Sequence, residues 1–214
     1  MKEIAKKVRN EIVYVWKNKR KIEGENNRII RTDDSYIRNT HILMYGNNNT
    51  LILGENSNIC GLRILIIGNR NIIEFGKNVI INASIIQPTV INAVGEGKSI
   101  KIGDGSLLSN NIEIHTTDYH GIYNSQGKRV NPDKNILIGK YVWIGLGVKI
   151  LKGTEIADGC VVGAGSVLSG VYQKENVIIA GNPAGIIKEQ IFWKHQRQEY
   201  YDVPNILKEK WNLK

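Results

Sequence analysis

Cysteine is scarce in this chain of 214 residues, which carries Cys60 and Cys160 and no others. Two isolated thiols make neither a zinc motif nor a disulfide framework, and they suit a reducing compartment. Long apolar runs are missing too. No stretch approaches the about 18 residues of a membrane span. The Lys-rich first residues are not followed by the apolar run and small-residue cleavage site of a secretory signal. A cytoplasmic protein is therefore expected. Helix-turn-helix, zinc-finger, RRM and KH patterns are absent as well, so nucleic acid is not the expected partner despite a net charge of +9.

That charge is unevenly spread, because residues 1–22 hold eight Lys or Arg against two Glu. Ile4, Val8, Ile12, Val15 and Trp16 fall at helical spacing, which predicts a basic amphipathic helix over 1–22. A solvated face accounts for its charge, and peripheral contact with an anionic membrane surface or an acidic glycan is the functional counterpart.

The most regular stretch is 138–173, which divides into the words IGKYVW, IGLGVK, ILKGTE, IADGCV, VGAGSV and LSGVYQ. Ile138, Ile144, Ile150, Ile156, Val162 and Leu168 open them at a strict period of six, which matches neither a helix nor a simple alternating strand. In most words the second position is small and the fifth compact. Such a repeat fits a coil with three flat faces, one hexad to each, whose turns stack as parallel strands roughly 4.8 Å apart. The fold class expected is all-β, a parallel β-helix of the hexapeptide-repeat kind.

From about Arg28 to Ser84, short apolar runs alternate with Asn and Gly and read as degenerate coils of the same solenoid. Asn47, Asn48, Asn49, Asn69 and Asn71 are expected in its left-handed corners. Regular words return at Ile102, Leu108 and Ile114, and the phase then fails between Tyr119 and Pro132 before resuming at Ile136. The organisation expected is a helix over 1–22, a β-helix over 23–185 with an ejected loop at about 117–135, and a helical, aromatic tail over 186–214 that covers the open end.

A loop ejected from so regular a coil is a natural place for function. His120 opens it in the string HTTDYH and suits proton transfer from a hydroxyl at neutral pH. Asp118 and Glu113 are candidates to orient it. His115 either lines the groove or makes a surface hydrogen bond. His115 and His120 also suggest a zinc pair of the kind that gamma-class carbonic anhydrases carry on a β-helix. Val79, however, stands where a third ligand would be wanted, so no metal is expected. Trp143 ends its hexad facing outwards, as packing between subunits or as a wall for a flat ligand. The small residues Gly145, Gly147, Gly163, Ala164 and Gly165 leave backbone amides exposed along a smooth groove, or simply make corners.

Taken together, TDYH, VWIG, GAGSV and AGNPA resemble the hexapeptide-repeat acyltransferases, in particular those that O-acetylate capsular polysaccharide. The likeness is specific over about residues 100–193. It implies a left-handed β-helix, a homotrimer with active sites between subunits, acetyl-CoA as acyl donor and a carbohydrate hydroxyl as acceptor. Within it His120 matches the catalytic base, Trp143 the residue beside the coenzyme A thiol, and Gly145, Ala164, Ser169 and Lys188 the contacts to pantetheine and nucleotide. Where relatives often carry an arginine after NPA, this chain has Gly185, and Lys188 takes that part. Antibiotic or amino-sugar acetylation on the same fold is the alternative chemistry. A non-catalytic scaffold subunit is the alternative of another class.

Overall fold

The structure is a computed structural model and describes residues 18–195 and 204–212. Three sheets of parallel strands run the length of the molecule, here called faces A, B and C in the order in which the chain visits them. Face A runs from the strand Lys19–Glu23 to Val167–Leu168, face B from Arg28–Arg31 to Val171–Tyr172, and face C from Tyr36–Arg38 to Ile178–Gly181. The core fills the prism between them. Ile138, Ile144, Ile150, Ile156, Val162 and Leu168 are all buried, each stacked on its counterpart one coil away. Val142, Val148, Thr154, Cys160 and Ser166, the fifth residues of their hexads, are buried too. Two positions per word therefore face inwards, and this is why the fifth residue must be compact. Both cysteines are free and buried.

In the hexad region one coil takes 18 residues, as the bond from the Lys140 N–H to the Asp158 carboxylate shows. The amino-terminal coils are longer, with equivalent residues 22 apart. They are not degenerate hexads but a second coil length with longer strands, such as the six-residue Leu62–Ile67. Their asparagines also differ from expectation. Of the five placed in left-handed corners only Asn48 has a positive φ, 58°, in register with Asn26 at 56° and Arg70 at 59°. Asn27, Asn49 and Asn71 instead form a column along the axis. The Asn49 N–H donates to Asn27 Oδ1 (3.0 Å) and the Asn71 N–H to Asn49 Oδ1 (2.9 Å), while Asn49 Nδ2 donates to the Gly68 carbonyl (2.8 Å). A coil four residues longer leaves corner peptide groups that its neighbour cannot pair, and buried amides supply the missing partners.

Both ends depart from the expected boundaries. Face A begins at Lys19, so the end of the expected basic segment is already strand, and the helical positions 4–16 lie outside the described residues. At the other end Ala184–Lys188 turns back antiparallel on Ile178–Gly181 and pairs the open edge of face C. The chain then runs back along the B–C corner as a strap. The Ile191 N–H donates to Asn176 O (2.9 Å), Trp193 Nε1 to Tyr141 O (2.7 Å), and His195 Nε2 bonds Gly105 O (3.0 Å). Among the described residues only Asn205–Lys210 is helical, held by Lys210 on Glu175; of the aromatic residues in the tail expected over 186–214, Tyr200 and Tyr201 lie outside the described residues. No described helix is long and apolar enough to cross a membrane.

Candidate functional site

The ejected segment leaves face A after Glu113–His115, and its base is closed by the Lys134 N–H on Thr116 O (3.0 Å). It is tied down throughout. Asn131, buried among exposed neighbours, donates through Nδ2 to Asp118 Oδ2 and to the His120 carbonyl, both at 2.8 Å, and accepts from the Ile122 N–H at 2.7 Å. Lys152, from the next coil, pairs with Asp118 at 2.6 Å and donates to Asn131 O at 2.9 Å. Thr117 Oγ1 donates to Asp133, which also pairs with Arg129. The Lys152 ammonium, and after it Asn131, holds the Asp118 carboxyl below the ordinary carboxylate range.

Asp118 is thus committed to the loop and does not orient the His120 ring, contrary to expectation. Among the described residues no hydrogen bond or ion pair reaches the His120 imidazole, which is solvent-exposed, while its backbone is fixed on both sides. Tyr119, just before it, has φ 63°, a costly conformation for an aromatic residue. It is held there by its N–H on Thr117 Oγ1 (3.0 Å) and by Asn92 Nδ2 on its hydroxyl.

His115 is the opposite case. Asn92 Nδ2 also donates to His115 Nδ1 at 3.1 Å, so the ring proton sits on Nε2 and faces Glu113 Oε2 at 3.6 Å. Burial pushes the His115 pKa down and outweighs the raising effect of Glu113, so the pair is a neutral imidazole beside a carboxylate. Glu113 is held ionised chiefly by Lys149, 2.8 Å away. Both nitrogens of His115 are therefore engaged within its own coil stack, and neither His115 nor Glu113 serves His120. No group of three His, Cys, Asp or Glu side chains converges among the described residues, and Val79 is buried inside the core.

The remaining candidates fall in two places. Trp143, on the outer side of face C, is 41% exposed, and its register partners are Leu107 and Val161. Val161 pairs with Ile178, and Ile178 with Lys188, so Trp143 and Lys188 lie three strand spacings apart on one face, about 14 Å. Gly145 and Ala164 sit at the C–A corner beside them. A Cβ on Gly145 would meet Ala164 N at 2.8 Å and Val162 O at 2.9 Å, so this glycine is required by coil stacking in any case. Ser169, by contrast, follows Val167–Leu168 at the A–B corner, on the side of the His120 loop. Face C is the side of the prism opposite the A–B corner. One chain therefore does not bring His120 and Trp143 together.

Sequence reasoning missed Asn92, Tyr119, Asn131, Lys149, Lys152 and Trp193. Asn131 carried a weak signal, an amide inside the loop. Lys149 reaches Glu113 across 36 residues, an offset set by the size of the loop and invisible without the register.

Residues 135–170 match the family model described as bacterial transferase hexapeptide, six repeats. The chain is 34% identical over 116 residues to the polysialic acid O-acetyltransferase of Neisseria meningitidis, covering 53% of this chain and 54% of that protein. It spans about half the length of the curated relatives it matches. Among solved structures, the polySia-specific acetyltransferase NeuO superposes with a TM-score of 0.68 over 91% of this chain and 97% of that one, at 24% identity. The polysialic acid O-acetyltransferase OatWY does so with a TM-score of 0.55 over 86% and 94%, at 27% identity. The solenoid is accordingly of the left-handed β-helix kind.

Proposed function

We propose, for a chain that carries the bacterial transferase hexapeptide repeat on a left-handed β-helix, that it is an O-acetyltransferase acting on a carbohydrate hydroxyl, with acetyl-CoA as donor and His120 as general base. The observation that carries this reading is the contrast between the two histidines. His115 has Asn92 bonded to one ring nitrogen and Glu113 facing the other, while His120 presents a ring without a partner among the described residues, on a backbone held by Asn131. A base must keep a nitrogen free for substrate, and a rigid backbone keeps that nitrogen in place.

The donor supplies an electrophilic thioester carbonyl. His120 takes the proton of the attacking hydroxyl, holds it while the oxygen–acyl bond forms, and returns it to the departing thiolate. A backbone N–H aimed at the developing oxyanion would lower the barrier further. The row from Trp143 to Lys188 supports donor binding, since it offers an aromatic wall, small corner residues and a cation over about 14 Å, the reach of an extended amide-containing arm. Because His120 and Trp143 lie on opposite sides of one prism, the reading requires a site shared between copies, as in a homotrimer. The names of the relatives point to an acidic surface polysaccharide as acceptor.

The test is thiol release from acetyl-CoA with sialic-acid polymers and neutral glycans, comparing wild type with His120→Ala. Acceptor-dependent release should fall by about 10² to 10⁴ in the variant, at unchanged melting temperature. A wild type that binds no acetyl-CoA would leave a scaffold subunit as the better account.

A further inference from the structure

Trp193 has no part in the reading above, yet it is among the most firmly placed residues of the tail. Its indole N–H donates to Tyr141 O at 2.7 Å, and its ring lies 4.8 Å from that of His195, which is itself fixed on Gly105 O. Two separate coils therefore hold the strap on either side of this one side chain. The ring is placed against Trp143, with centroids 6.0 Å apart and planes tilted by 42°.

The spacing limits what the pair can do. A planar group sandwiched between two rings needs about 7–8 Å, twice the carbon–carbon contact distance, so no flat ligand enters between them. Trp193 acts instead as a stop at one margin of Trp143, whose remaining surface stays open. Beyond the stop lies a largely apolar cleft in which Tyr141, Phe192, Trp193, Ile206 and Leu207 are joined by the polar Asp158, Asn176 and Lys194, and whose lining does not include Trp143. Trp193 thus stands between the aromatic wall and a cleft that could take several methylene groups.

We infer that Trp193 determines the length of acyl chain the protein accepts: it closes the apolar cleft off from the Trp143 wall, so that a two-carbon acyl group fits and longer chains are refused. This rests on Trp143 being the wall beside the thioester. A pocket that stops a chain by contact discriminates about 10- to 200-fold per methylene, and removing the stop joins the cleft to the wall.

The experiment measures dissociation constants of acetyl-, butyryl- and hexanoyl-CoA by calorimetry on the full chain, together with thiol release in the presence of acceptor. Wild type, Trp193→Ala, Trp193→Leu and Trp193→Phe are compared. Wild type should favour acetyl-CoA over hexanoyl-CoA by at least tenfold, Trp193→Ala should shrink or reverse that ratio by at least tenfold, and Trp193→Phe should retain most of it. Trp193→Leu should be intermediate and serves as the test if the Ala variant is not folded. Acetyl-CoA binding with one and the same preference in wild type, Ala and Leu variants would overturn the inference, as would an equal loss for all three donors, which marks a purely structural strap. Failure of wild type to bind acetyl-CoA at all would instead overturn the functional reading, and this inference with it.

Discussion

Two histidines five residues apart receive different chemistry from their surroundings, and His115 yields a prediction in pH. Burial lowers its pKa in the folded state, so the unfolded chain takes up the proton first as pH falls. Its contribution to stability is therefore complete above the unfolded value near 6.5 and is lost as pH drops through that value towards the folded one. The slope is at most about 1.4 kcal/mol per pH unit for a single proton. His115→Gln should flatten the dependence of melting temperature on pH between about 7.5 and 5; an unchanged slope would show that other groups carry it. His120→Ala, at an exposed ring without a partner among the described residues, should leave the melting temperature unchanged and appear in turnover alone.

At the scale of elements, the amino-terminal coils hold a prediction that distinguishes two asparagines of similar sequence context. Asn49 is fully buried and serves both the Asn71 N–H and the Gly68 carbonyl, so Asn49→Ala leaves a buried donor and acceptor unpaired. The expected cost is about 1–3 kcal/mol. Asn47 accepts from the Glu25 N–H at an exposed corner where water can replace it, and Asn47→Ala should cost within about 0.5 kcal/mol. Urea titrations of both variants check this, and equal costs would mean that the buried column is not what holds the 22-residue coils in register. The ejected loop follows the same physics. Asn131 and Lys152 make it a tied element rather than a free one, which lets an exposed His120 keep a defined position.

For the whole molecule the decisive fact is the triangular cross-section. His120 leaves from the A–B corner and Trp143 lies on face C opposite, so a site containing both must draw them from two copies. His120→Ala and Trp143→Ala should each be inactive alone, and co-assembled subunits should recover activity. With random mixing of two subunit types in a closed ring, roughly a quarter of the interfaces hold both intact residues. Recovery near that fraction of wild-type turnover, measured on co-expressed and co-purified subunits, is the expected result. No recovery from mixed assemblies would place both residues in one chain's site and refute the argument from topology.

The sequence by itself determined the solenoid, because a strict six-residue spacing of aliphatic residues has few other folded solutions, and it located the ejected loop as the place where that spacing fails. It also singled out His120 and Trp143 as candidates, through strings that local chemistry and family resemblance make recognisable. Only the tertiary structure decided the 22-residue coils and the asparagine column, since an amide's partner one coil away depends on coil length. Only the structure showed that Asp118 belongs to Lys152, that His115 belongs to Asn92 and Glu113, and that Trp193 returns to Trp143. Apart from the local Glu113–His115 pair, those pairings join residues between 23 and 50 positions apart whose separation follows from loop size and strap path. Neither quantity is written in any local pattern.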